Sequence, residues 1–381
     1  MTTTAHVLIA ADKFKGSLTA VEVAEHVGNG LRKVAPGTET EALPVADGGD
    51  GTVEAAVASG FERREAEVTG PLGAPVTAAF ALHEGTAVVE MAAASGLQLL
   101  PEGVFAPLTA TTYGTGEVIS AAVEAGARRI ILGVGGSATV DGGAGMLQAL
   151  GAHFLDEDGD QIPHGGGPLV ELVSADLSQL DERLKDVEFV LASDVDNPLT
   201  GPKGAATVYG PQKGASERDV EVLDAALAHF VRVLGESVGD EAVSTAEAPG
   251  AGAAGGVGYA ALVGLGAAFR PGIEVLLEVL GFQPALQRAD LVVTGEGSLD
   301  EQTLHGKAPA GVAAAAGKAG KPVVAVCGRL KIDRKALRAA GIERAYALAD
   351  IEPDADASLA QAGPLLERIA ARVAEDYLTA S

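Results

Sequence analysis

Residues Arg129-Ile-Ile-Leu-Gly-Val-Gly-Gly-Ser-Ala-Thr-Val-Asp-Gly-Gly-Ala-Gly145 pass from an apolar run through a glycine turn into a helical pattern. The apolar run Ile130–Leu132 opens straight into glycines. Ser137, Thr139 and Asp141 follow, and then the helical apolar pattern Met146, Leu147 and Leu150. A strand, a glycine turn and a helix start present free backbone N–H groups to an anion, because residues without side chains let a phosphate reach the main chain. Two hydroxyls and a carboxylate in the same turn add hydrogen bonds and a candidate magnesium contact. This turn is therefore expected to handle phosphate through Gly135, Gly136, Ser137 and Thr139.

Working outward, the same alternation recurs at both ends of the chain. His6–Ala11 reads as an apolar strand, Asp12–Ser17 as a polar turn, and Thr19–Val34 as an amphipathic helix capped by Ser17 or Thr19. A second strand, Thr40–Val45, runs into Asp47-Gly-Gly-Asp-Gly51. Towards the C-terminus, strand Asp290–Thr294 runs into the turn Gly295-Glu-Gly-Ser-Leu-Asp300. A helix from Lys307, strand Pro322–Val326, helix Arg334–Ala340, a strand near Tyr346 and a closing helix from Ser358 complete the series. Alternating strands and helices predict an α/β fold with a doubly wound, mostly parallel sheet.

The centre differs. Val68–Ala93 carries short strand-like runs around Gly70-Pro-Leu-Gly73 and Glu84-Gly85, which suit antiparallel hairpins. That shift predicts a discontinuous Rossmann-like domain at 1–70 and 285–381, an inserted second domain at 71–284, and a cleft between them. The length of 381 residues fits two domains.

Composition narrows the function classes. A net charge of −25 argues against nucleic acid, since no basic stripe could overcome it. Cys327 is alone, which excludes a disulfide framework and a cysteine zinc site; in Pro322–Arg329 it reads as strand core. The uncharged segment Ala248–Phe269 is too glycine-rich for a membrane span and reads as a loop feeding a buried helix. The N-terminus has no export-signal pattern, so a cytoplasmic monomer or homodimer without membrane partners is expected.

Polar turns recur at predicted strand ends, where open α/β sheets place their sites. Any one of them is also ordinary turn chemistry, since Asp and Gly are favoured there for backbone reasons. Asp194-Val-Asp196-Asn197 follows the apolar run Val187–Leu191 and offers hard oxygen ligands suited to Mg²⁺. Glu296 and Asp300 form a second carboxylate pair, and Lys13, Lys15, Lys213 and Lys307 are candidate phosphate cations. A rival reading exists. Gly133-Val-Gly-Gly-Ser-Ala138 with Asp156 beyond it matches the dinucleotide template, in which the acid holds a ribose, and would suit an NAD-dependent oxidoreductase. Gly250-Ala-Gly-Ala-Ala-Gly255 matches that template only in letters, because no strand precedes it.

Taken together the chain resembles the bacterial glycerate kinase family. The resemblance rests on Asp12-Lys-Phe-Lys-Gly-Ser-Leu18, Pro44–Thr52, Gly135–Met146, Ser193–Leu199, Tyr209-Gly-Pro-Gln-Lys-Gly-Ala215, Pro249–Gly256 and Thr294–Asp300 with Gln302, Thr303, Gly306 and Lys307. Lys13 and Ser298 depart from the usual motif, where Ser and Arg are more common. The resemblance implies transfer of the ATP γ-phosphoryl group to a hydroxyl of D-glycerate with Mg²⁺, leaning towards 2-phosphoglycerate over 3-phosphoglycerate. On that reading Asp194, then Asp47, is the candidate for orienting or deprotonating the accepting hydroxyl, with Lys15 beside it. Gly135, Gly136, Ser137, Thr139, Lys213, Gly295 and Glu296 are the candidates for ATP, and Asp196, Asp300 and Glu296 for magnesium.

Overall fold

A computed structural model of the chain describes residues 5–46, 48–49, 51–304 and 307–379. In chain order its strands are β1 (His6–Ala11), β2 (Glu39–Ala42), β3 (Glu62–Thr69), β4 (Pro75–His83), β5 (Thr86–Glu90), β6 (Arg129–Gly133), β7 (His153–Leu155), β8 (Ser174–Asp176), β9 (Glu188–Ala192), β10 (Ala268–Arg270), β11 (Leu291–Leu299), β12 (Val323–Leu330) and β13 (Arg344–Ala347). The chain forms two units. One comprises Met1–Asp47, Glu54–Gly60 and Ile273–Ser381, the other Gly48–Val53 and Phe61–Gly272.

The first unit holds a parallel five-stranded sheet in the order β13-β12-β11-β1-β2. β1 is an interior strand, between β11 and β2, and is buried from Val7 to Ala11, which explains why its sequence is a continuous apolar run rather than an alternating one. Helix Ala20–Val34 starts on a capping box: Thr19 accepts from the Glu22 N–H, while Glu22 accepts from the Thr19 N–H. Thr19 is thus the cap; the Ser17 hydroxyl instead donates to the Phe14 carbonyl. The helix packs Val23, Val27 and Leu31 with Leu366, Ile369 and Val373 of the closing helix.

Two local expectations change. The strand expected to stop at Thr294 continues to Leu299, because Ser298 and Leu299 still pair with Arg329 and Leu330 of β12. The closing helix begins at Ala362, not Ser358. Asp354 caps a separate short helix, Ala355–Ala360, and Pro364 then falls in a first turn, where its missing N–H costs nothing.

The second unit holds a six-stranded sheet in the order β10-β9-β6-β5-β4-β3. β10, β9, β6 and β5 run parallel, while β5-β4-β3 form the antiparallel meander expected around 68–93. Edge strand β3 carries Glu62, Arg63, Arg64 and Glu65, and an exposed charged edge resists pairing with other chains. The glycine-rich segment feeds the buried helix Val257–Gly264, and no described helix is long and apolar enough to cross a membrane. Cys327 is buried in β12, and burial pushes its thiol pKa upward.

Candidate active site

In the second unit the carboxyl ends of three neighbouring strands carry polar groups: Glu90 on β5, the turn after Gly133 on β6, and Ser193-Asp194 on β9. Gly48 and Gly49 lie directly against them. A Cβ at Gly133 would stand 2.6 Å from the Gly48 carbonyl oxygen, and one at Gly135 would stand 2.5 Å from Gly49 Cα. These glycines exist for backbone contact. Glu90, unmarked in the sequence reading, accepts from the Gly51 and Val53 N–H groups at 3.2 and 3.4 Å and so holds the Gly48–Val53 segment. Its signal was available: an acid closing the buried run Ala87–Val89. Asp47 and Asp50 lie outside the described residues, as do His305 and Gly306.

The turn itself divides into an inner and an outer face. The Ser137 hydroxyl accepts from Lys213 Nζ at 3.1 Å and from the Thr139 N–H at 3.1 Å, and it lies 3.1 Å from the Thr139 hydroxyl. Both residues are buried, so the hydroxyls expected to meet phosphate are turned into the protein. Asp141 is likewise internal. Its carboxylate accepts from the Thr112 N–H and hydroxyl and from the Gly143 N–H, bonds that oppose the upward push of burial on its pKa. It is a brace and not a magnesium ligand. The outer face is backbone. Gly136, at φ +75°, is exposed, and the Gly136 and Ser137 N–H groups have no acceptor among the described residues. The neighbouring Gly135, Ala138 and Thr139 N–H groups are all bonded within the unit. Two adjacent free amides at a left-handed glycine form a concavity that suits an anion.

Lys213 is a sequence candidate for a phosphate cation. It is buried instead, donating to the Thr139 carbonyl at 2.6 Å as well as to Ser137, so it supports the turn from behind. Pro249–Gly256 supports it too: the Gly142 N–H bonds the Gly255 carbonyl, and a Cβ at Gly255 would stand 2.0 Å from the Thr139 carbonyl oxygen. The dinucleotide-like lettering of that segment records close main-chain packing. Burial lowers the Lys213 pKa from 10.5 to about 7, while the charge of Asp141 opposes the drop. Unfolding restores the ordinary value and takes up a proton, so between pH 7 and 10.5 this group makes stability rise with pH. Below that window the cost of burying the cation is fully present. Thermal unfolding of wild type and Lys213→Met across pH 6–10 is expected to show a difference changing by up to about 1.4 kcal/mol per pH unit. Parallel curves would contradict this titration.

Two residues beyond β9, the exposed Asp194 accepts from the Gly272 N–H at 2.9 Å, and Asp196 is exposed two residues further on. Asn197 is structural: its amide donates to the Lys203 carbonyl and its oxygen accepts from the Tyr209 hydroxyl.

In the first unit, β1 leads to β2 on one side of the sheet while β11, β12 and β13 extend on the other. The topological switch point therefore lies between β1 and β11, where such sheets bind ligands. A cavity of about 210 Å³ opens beside these strands, lined by Phe14, Lys15, Gly297, Gly328, Arg329 and Leu359. Arg329 was not singled out from sequence. Gly295, expected in a turn, lies within β11, where a Cβ would meet the Val326 carbonyl oxygen at 2.2 Å; it serves sheet packing. Glu296 accepts from the buried Thr303 hydroxyl, which in turn accepts from the Asp300 N–H. Among the described residues no three His, Cys, Asp or Glu side chains form a metal-binding group. That is compatible with Mg²⁺, which commonly takes one or two carboxylates plus substrate phosphates.

The dinucleotide reading fails on topology. It needs Asp156 to follow a strand parallel to β6, yet β7 pairs antiparallel with β8 in a separate two-stranded sheet. Asp156 spends Oδ1 on the N–H groups of Asp158 and Asp160 in its own turn.

Free amides and strand-end carboxylates in the second unit, and exposed cations at strand ends in the first, are the equipment of an α/β phosphotransferase. Comparison with known proteins agrees. The glycerate kinase family model matches residues 7–378. The chain is 48% identical over 371 residues to glycerate kinase of Bacillus subtilis, covering 97% of this chain and 96% of that one. It is 47% identical over 346 residues to glycerate 2-kinase of Escherichia coli, covering 90% of each. A crystal structure assigned as a glycerate kinase 2 from Salmonella typhimurium superposes with a TM-score of 0.86 at 42% identity, over 98% of both chains. The chain belongs to the glycerate kinase family.

Proposed function

We propose that this kinase transfers the γ-phosphoryl group of ATP to the 2-hydroxyl of D-glycerate, and that Mg²⁺ accompanies the nucleotide. The observation carrying this reading is the pair of unbonded amides at Gly136 and Ser137, offered where β6 ends. Likeness to a glycerate 2-kinase supports the 2-position. Phosphoryl transfer demands mainly positioning and neutralisation of spreading charge, so backbone donors and cations suffice without a covalent nucleophile.

Asp194 accepts the proton of the attacking hydroxyl. The oxygen bonds to the γ-phosphorus as the bond to the β,γ-bridging oxygen breaks and ADP leaves. The Gly136 and Ser137 amides receive phosphate oxygens, with Lys213 fixing their orientation from behind. Lys15 and Arg329 add positive charge at the first unit's strand ends. The candidates to hold Mg²⁺ are Asp196 in the second unit and Glu296 and Asp300 in the first; the ion would supply further charge neutralisation to the phosphates.

A coupled ADP-release assay is expected to show turnover that needs both ATP and D-glycerate, and phosphorus NMR is expected to identify 2-phosphoglycerate. Absence of glycerate-dependent ADP release by folded protein would refute the reading. Formation of 3-phosphoglycerate would refute the regiochemistry alone.

A further inference from the structure

A second cavity runs along the open edge of the five-stranded sheet, sharing no lining residue with the one beside Lys15 and Arg329, although Leu330 at its rim directly follows Arg329. Its volume is about 620 Å³, between edge strand β13, helix Arg334–Ala339 and the closing helix Ala362–Tyr377. Arg334, Arg338, Arg344 and Arg372 line it, against only two carboxylates, Glu343 and Asp350. This concentration is unusual in a chain with 52 acidic and 27 basic residues. Elsewhere cations pair readily, as Arg288 does with Glu41, Arg183 with Asp181 and Lys33 with Glu367.

Within the cavity only Arg344 is paired. It contacts Asp376 at 2.6 Å and lies over the Tyr346 ring. Arg334, Arg338 and Arg372 have no carboxylate partner among the described residues. Four arginines against two carboxylates leave the lining with an excess of positive charge, and an anion that takes the forked donors of the unpaired guanidiniums offsets that excess. The volume falls in the range of small-molecule pockets. The lining mixes these cations with Leu337 and Ile369, which suits an organic ligand better than a bare inorganic ion.

We propose that this cavity is a second ligand site, for a small organic phosphate of at least two negative charges. Its chemistry admits either a phosphorylated carboxylic acid or a nucleotide. Isothermal titration with pyrophosphate as probe separates this site from the active site by comparing variants. The wild type is expected to show a binding component that Arg338→Ala/Arg372→Ala lacks or binds at least roughly tenfold more weakly, the loss typical of charge-assisted contacts. Both arginines are exposed, so the variant is expected to keep the wild-type circular dichroism and melting temperature. Arg63→Ala/Arg64→Ala removes the same charge from edge strand β3 and is expected to leave binding intact. Displacement of the probe by 2-phosphoglycerate or by ADP supports the proposal and identifies the class. The proposal is overturned if binding is unchanged in the cavity variant, equally weakened in the β3 control, or displaced by neither ligand. The readout is binding, so its failure is distinct from failure of the kinase reading, which would appear as absent turnover.

Discussion

Asp194→Asn is expected to lower kcat by roughly 10²–10⁴-fold, the usual worth of a positioned general base. The substitution is conservative in shape. Its remaining carbonyl oxygen can still accept the Gly272 N–H that Asp194 Oδ1 holds at 2.9 Å, so the end of β9 is expected to keep its conformation. What disappears is the negative charge and the ability to take the hydroxyl proton. The KM for ATP should change far less than kcat. Wild-type turnover in the variant would reduce Asp194 to a turn former. A rise in KM for ATP with kcat intact would instead place it near the nucleotide.

Gly136→Val is expected to be nearly inactive, by at least about 10²–10³-fold, the cost of losing a preorganised backbone donor. Two effects act together. The residue sits at φ +75°, where an L side chain is disfavoured by roughly 1–2 kcal/mol and a β-branched one fits worst. A Cβ there would also stand 3.2 Å from the Ala92 Cβ, so the turn must shift to admit it. Either displacement moves the two free amides. Circular dichroism and the unfolding midpoint separate a local lesion from a global one, and Gly136→Ala provides a milder version. Full activity with an intact fold would mean that phosphate is received elsewhere. Ser137→Ala makes a useful contrast: its hydroxyl faces Lys213, so the loss should appear in stability before it appears in ATP affinity.

The strands were legible because central parallel strands are buried on both faces, which leaves runs such as Val7–Ala11 and Ile130–Leu132 that nothing else explains. The turns were legible as a set because acids, lysines and glycines gather after those runs. Strand ends were less so. β11 runs on to Leu299 because β12 is beside it to accept pairing, a fact held in a partner some thirty residues away. Glu90 escaped notice for a related reason. Its role appears only once the Gly48–Val53 backbone is laid against β5.

The α/β class, the parallel strands, the central meander and the family follow from local hydrophobic pattern and from the order of short motifs along the chain. Only the tertiary structure decided which way each polar group faces. Ser137, Thr139, Asp141 and Lys213 looked like ligands because ligand sites and buried braces draw on the same residue types. The difference between them is solvent, and solvent exposure is set by long-range packing: Pro249–Gly256 and Lys213 close the inner face of the turn, leaving the amides of Gly136 and Ser137 as its open side. No spacing within the turn could encode that, because the groups that cover it lie about 75 to 115 residues further along the chain.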